Sequence, residues 1–284
     1  MKELPNNQIL RFSTLMVRRY LRHNVGIQSA ALAFYLLFMI FPFLIFISAL
    51  LGLLQLNVAE ILRALEQLLP NDIVRMLRIY LTHVAANPSQ KLMIFGLVFS
   101  VYFPMRATNS LMRSVRTAYH LGPPRQAFVH WLKVLLYTVL LIVTIALTLT
   151  LMTVGDHALA FATEHLSLPH FVADLWTRLR FPVAGLMGWF ALFLLYALAQ
   201  DERQELRNLW PGAMAALCGW LALSWLYAFY VDHIASYSTL YGSIGTVIVL
   251  LVWLNLSAMA LIMGAEFNGT LMSLRKESMA KNEK

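Results

Sequence analysis

Apolar residues in this chain come in long unbroken runs, not at the one-face spacing of a soluble helix. Five runs, at 30–54, 134–154, 181–199, 209–231 and 244–265, contain no charged residue at all. A helix rises about 1.5 Å per residue, so roughly 20 apolar residues cross a hydrocarbon core of about 30 Å. Each run meets that length. A sixth, 92–112, is apolar as far as Met105 and then carries Arg106, Thr108 and Asn109. The pattern predicts an all-α polytopic membrane protein with six transmembrane helices.

Between the first two runs the period changes. Ile61, Leu65, Leu68 and Leu69, then Ile73, Leu77, Tyr80, Leu81 and Val84, recur at helical spacing, with Pro70, Asn71 and Asp72 dividing them. Proline disfavours helix in the residue before it, and Asn or Asp caps the helix that follows. Two short amphipathic helices are therefore expected in the first periplasmic loop, as a lid over the bundle or a docking surface for a periplasmic envelope partner. The N-terminal segment alternates too: Ile9, Phe12, Leu15, Met16 and Tyr20 stand beside Arg11, Arg18, Arg19 and Arg22. Two readings fit this amphipathic helix, one lying on the membrane surface and one packed on the protein's own base. The domain reading is an N-terminal segment at 1–28, a six-helix domain at 29–270 and a basic tail at 271–284.

Composition agrees with a bilayer setting: 60% of the 284 residues are hydrophobic and 13% charged, too few to cover a soluble globule. The net charge of +8 then becomes a topology signal. With six spans, sixteen Lys and Arg residues fall on the face that holds both termini and six on the other. Positively charged segments stay inside, so both termini are expected in the cytoplasm of a cell with this protein in its inner membrane. Anionic lipid headgroups are the expected partners of that basic face, and nucleic acid is not. Cys218, the only cysteine, permits no intramolecular disulfide.

Chemistry concentrates at the inner ends of the spans. Tyr102, Arg106, Asn109, Arg113, Arg116 and His120 fall within about 80° of one another on a helical wheel, making one face of the second span polar. An arginine at membrane depth costs on the order of 2.5–3.5 kcal/mol, so it faces a partner, faces a wet cavity or snorkels outward. Glu266 directly follows 22 uncharged residues and ends near the same membrane face, which makes Arg106 its expected partner. Asn255 shares the face of Glu266, and Gln28 and Tyr35 occupy one face of the first span. The expected substrate site is a cytoplasm-facing cavity lined by Gln28, Tyr35, Arg106, Asn109, Arg113, Asn255 and Glu266. Its surplus of cations suits an anionic group such as a lipid phosphate. The alternative is structural, with Arg106 snorkelling and Glu266 capping the base of the bundle. The eight histidines lack metal-ligand spacing, no catalytic constellation is evident, and neither an enzyme activity nor a cofactor or metal is expected.

Three segments, "GIQSAALAFYLLFMIFPFLIFISALLG" from Gly26, "SLMRSVRTAYHLGPPR" from Ser110 and "YGSIGTVIVLLVWLNLSAMALIMGAEFNGTL" from Tyr241, resemble the YihY/BrkB family of bacterial inner-membrane proteins. The resemblance runs in order from about Gly26 to Leu271. It implies six spans and a role in the cell envelope. Where many relatives carry asparagine, this chain has Arg116. The family has also been called ribonuclease BN, but RNA cleavage needs an acid–base pair or metal cluster on an aqueous surface, and this sequence has neither. The expected function is transport or export of an anionic lipid or lipid-like envelope component, with gating at Pro42 and Pro104; a non-transporting scaffold for envelope assembly is the alternative.

Overall fold

A computed structural model describes residues 8–53, 78, 89–166, 170–200, 206–233 and 243–282. Among these residues there are seven α-helices and no strand. They are α1 (Gln8–Arg22), α2 (Val25–Leu53), α3 (Gln90–Ala118), α4 (Ala127–Leu166), α5 (His170–Leu198), α6 (Trp210–His233) and α7 (Ser243–Asn282). A 3-10 turn, Leu206–Asn208, precedes α6. Helices α2 to α7 are each long and apolar enough to cross a membrane. The expected lid helices at 59–86 lie outside the described residues.

The surface confirms what the runs imply. Phe41 is 58% exposed, Phe128 75%, Phe181 62% and Trp225 72%, so large apolar side chains point away from the protein on four different helices. Exposed apolar area of this extent is stable only in hydrocarbon. Helix ends are less tied to hydropathy than the runs suggest. Helices α4 and α7 each have 40 residues, about 60 Å of helix and twice the hydrocarbon thickness. Helix α7 continues unbroken from its apolar run through the basic tail, because Arg19, Met16 and Phe12 of α1 pack along residues 266–273.

The chain divides into two compact units, one made of residues 1–34 and 107–284, the other of 35–106. In the larger, α7 packs on α6 and α1, α4 on α5, and α5 on α6. Small residues bring α6 and α7 together. A Cβ on Gly264 would stand 2.5 Å from the Tyr196 hydroxyl and 2.6 Å from the Gly212 carbonyl oxygen. That proximity leaves Asn268, fully buried, to bridge the helices. Its Oδ1 accepts from the Gly212 N–H at 2.7 Å, and its Nδ2 donates to the Leu209 carbonyl at 2.8 Å and the Tyr119 hydroxyl at 3.1 Å. Gly212 and Ala216, four apart on α6, line this crossing. Gly219 does not, since a Cβ there would meet nothing within 4 Å.

In the smaller unit, the backbone of Phe46 lies against Gly96 of α3, so closely that a Cβ at 96 would sit 2.6 Å from the Phe46 nitrogen. Phe38, Phe95, Phe99, Tyr102 and Phe103 form a chain of ring contacts beside that approach.

Candidate functional site at the terminal end of the bundle

The N-terminal helix, the end of α3 and the last third of α7 meet at one end of the larger unit. Glu266 is at their centre, 1% exposed. Its Oε2 accepts from Arg19 Nη1 at 3.2 Å and its Oε1 lies 2.5 Å from His23 Nδ1. The partners of the acid are therefore Arg19, which supplies the opposite charge, and His23, in place of the Arg106 partnership expected from the sequence. The cause is α1, which turns one face into the bundle. Arg19 shares that face with Phe12 and Met16, about 180° from Leu10, Val17 and Leu21, which are 56%, 61% and 67% exposed. Packing on the base, the second reading of this segment, is what the Arg19 face does.

Arg19 saturates a whole junction. Nη1 also donates to the Ala118 carbonyl at 2.9 Å, and Nη2 donates to the Gly269 carbonyl at 3.0 Å and to Ser273 Oγ at 2.7 Å. Nη2 is also 3.2 Å from His120 Nε2. Glycine is required at 269, where the Ala118 carbonyl and Arg19 fill the space a side chain would take. Arg11 and Glu277 form a further ion pair between α1 and α7.

Gln28 donates to the His23 carbonyl at 2.5 Å and so braces the turn between α1 and α2. Asn109 meets His130 of α4, with Oδ1 2.8 Å from Nε2. Arg113, one turn further along α3, is exposed and has no carboxylate partner among the described residues. Asn255 lies about three turns before Glu266 on α7, and its Oδ1 is buried with no hydrogen-bond partner among the described residues. Two Trp–Ser hydrogen bonds cross from α6 to α7 around it, Trp220 to Ser257 at 3.0 Å and Trp253 to Ser224 at 3.3 Å. Tyr35 and Arg106 belong to the smaller unit. There the guanidinium donates to the Tyr35 hydroxyl at 3.4 Å and lies over the rings of Tyr35 and Tyr102, at 5.5 and 6.0 Å from their centroids. Both contacts are to neutral groups.

Arg116, the position at which the chain departs from many relatives, is 5% exposed. It donates to the Ala199 carbonyl at 2.9 Å and twice to the Gly122 carbonyl, at 3.1 and 2.6 Å. The side chain thus joins the end of α5 to the α3–α4 turn. Hydrogen bonds from a charged donor contribute about 1.5–3 kcal/mol. Arg116→Ala is expected to lower stability by about that amount, read as a reduced unfolding midpoint in detergent, with Arg116→Lys recovering only part because one ammonium cannot span both carbonyls.

Sequence reasoning missed Arg19, His23 and His130. The signal for Arg19 was a lone cation among Phe12, Leu15 and Met16 on the apolar stripe of α1. For His120, burial and the adjacent Arg19 guanidinium, then His23, hold the imidazole below its ordinary value, with Glu266 opposing them. Tyr119 is pushed up by burial. No group of three or more His, Cys, Asp or Glu among the described residues is arranged to hold a metal ion.

The helices and their outward apolar surface define a polytopic α-helical membrane protein. Residues 16–284 match the family model described as virulence factor BrkB, so the chain belongs to the BrkB family. It is 30% identical over 258 residues to the putative ribonuclease-like protein YfkH of Bacillus subtilis (strain 168), covering 91% of this chain and 94% of that one. It is 23% identical over 201 residues to the UPF0761 membrane protein NT05HA_1801 of Aggregatibacter aphrophilus (strain NJ8700), covering 69% of this chain and 68% of the relative. A UPF0761 membrane protein of Haemophilus influenzae (strain 86-028NP) is 22% identical over 196 residues, 68% of each chain. No solved structure matches.

Proposed function

We propose that this protein is a non-enzymatic transporter or exporter in the bacterial inner membrane that handles an anionic lipid or lipid-like envelope component. The observation that carries the reading is Arg113: an exposed guanidinium near the end of a membrane-spanning helix, with no carboxylate partner among the described residues. Asn109 and His130 supply polar atoms one turn away, and a phosphate or carboxylate headgroup is the chemistry that completes such a set. Arg113 stands on the Lys- and Arg-rich side of the topology, which favours the inner leaflet as the place of headgroup capture.

Hydrolytic chemistry fits less well. The carboxylate with the most developed surroundings, Glu266, has both oxygens engaged and is sealed from solvent, so neither water nor a phosphodiester reaches it. The ribonuclease-like label of the Bacillus relative is therefore not carried over.

The test is lipid selectivity in nanodiscs. Native protein is expected to retain phosphatidylglycerol over phosphatidylcholine, and Arg113→Ala to weaken that preference about tenfold, the equivalent of about 1.4 kcal/mol or one charge-assisted hydrogen bond. Arg113→Glu is expected to abolish it. Equal retention of both lipids by the native protein, or an unchanged preference in Arg113→Glu, would overturn the reading; labelled-lipid flux in vesicles then separates transport from binding.

A further inference from the structure

Helix α3 ends in a way that draws attention to His120. The Leu121 N–H donates to the Arg116 carbonyl at 2.9 Å and the His120 N–H to the Thr117 carbonyl at 3.1 Å. This pair of bonds is the Schellman ending, whose left-handed residue is normally glycine. Here it is histidine, with φ of 55°. Histidine enters that region more readily than most residues other than glycine, but still uncommonly, and its presence where glycine is the usual choice points to a use for the side chain.

The ring's surroundings indicate the use. Arg19 Nη2 is 3.2 Å from His120 Nε2. A guanidinium can only donate, so Nε2 joins this contact as an unprotonated acceptor, sharing the two N–H groups of Nη2 with the Gly269 carbonyl and Ser273 Oγ. The ring also packs edge-on to His23, with centroids 5.6 Å apart. Groups facing it come from every element at the junction: Arg19 and Arg22 from α1, His23 from the turn and Glu266 from α7. The adjacent Tyr119 hydroxyl accepts from Asn268. His120 itself is exposed on its outer side, so protons reach it from solvent.

We propose that His120, held against Arg19, His23 and Glu266, is a proton-binding site whose occupancy loosens helix α1 from the bundle. A proton on Nε2 turns the acceptor of the Arg19 contact into a donor and sets a second cation against the guanidinium. One carboxylate, Glu266, then faces both the Arg19 guanidinium and the new imidazolium. The sign follows from linkage. Docked α1 disfavours the proton, so docking is fully retained above the ordinary histidine value of about 6.5 and weakens as pH falls below it.

The experiment uses full-length protein with Cys218→Ser, a spin label at Val17→Cys on the exposed face of α1, and phosphatidylcholine nanodiscs, whose headgroups do not titrate between pH 8 and 5. The mobile fraction of the label is expected to rise on acidification with a midpoint below 6.5. His120→Asn keeps a polar side chain and tolerates the left-handed backbone but does not titrate, and it is expected to abolish the transition. His120→Gly is expected to do the same while relieving the backbone, so loss of the transition in a folded, thermally stable protein separates proton binding from damage. A label whose mobility is independent of pH, or a transition unchanged in His120→Asn, would overturn the proposal.

Discussion

Arg19→Leu is expected to be the most destabilising single change at the terminal end of the bundle, at about 3–5 kcal/mol, because it strands a buried carboxylate. Arg19 is 7% exposed and Glu266 1%. With the guanidinium gone, Glu266 keeps His23 alone among the described residues, while the Ala118 and Gly269 carbonyls lose the Arg19 donor. Arg19→Lys is expected to recover little, since a single ammonium cannot reach acceptors on α3 and α7 at once. The double variant Arg19→Leu with Glu266→Leu is expected to regain most of the loss, because an apolar pair leaves no uncompensated charge behind. Unfolding midpoints of the two single variants and the double variant, combined as a cycle, give the coupling directly. A double variant that is as unstable as the sum of the singles would show that Arg19 acts through its carbonyl contacts and not through Glu266.

The reasons this pair escaped the sequence are physical. That Glu266 needs a cation was legible, because an ionised group after 22 apolar residues cannot stay unpaired at low cost. Which cation was not. Topology brings the ends of several spans to one membrane face, where Arg19, Arg106, Arg113 and Arg116 were all eligible, and the choice depends on how α1 rotates about its axis. Arg19 is 247 positions from Glu266, so no local periodicity links them. The six spans, by contrast, were legible because crossing hydrocarbon demands a length and a composition together. Their ends were not, since α7 gains its last turns from contact with α1 and not from hydropathy. Asn109 and His130 are intermediate: a short connection makes α3 and α4 neighbours, but the register that brings the amide to the imidazole is fixed only by packing, including the Thr138 hydroxyl donating to Thr108 at 2.9 Å.

Gly264→Leu is expected to cost about 3 kcal/mol or more by forcing α6 and α7 apart. Overpacking a filled site typically costs about 1–3 kcal/mol, and here the obstruction is the Ala216 Cβ, the Tyr196 hydroxyl and the Gly212 carbonyl, of which the first and last cannot rotate away. The Gly212 carbonyl and the Tyr196 hydroxyl both lie where the new side chain would begin. Tyr196 cannot yield freely, because its hydroxyl donates to the Leu261 carbonyl at 2.7 Å. Separation of the helices would also break the Asn268 bridge to Gly212 and Leu209, adding about 1–3 kcal/mol for each buried polar group left without a partner. In a bilayer there is little hydrophobic drive to restore the contact, so close backbone approach is itself the main adhesive. Gly219→Leu is the matched control, the same substitution on the partner helix α6, and its side chain would enter open space. Thermal unfolding in detergent is expected to place Gly219→Leu near the native midpoint and Gly264→Leu far below it. Equal midpoints would mean that the α6–α7 crossing is held by its hydrogen bonds and can tolerate a wider spacing, in which case Asn268→Leu, and not Gly264→Leu, would be the disruptive change.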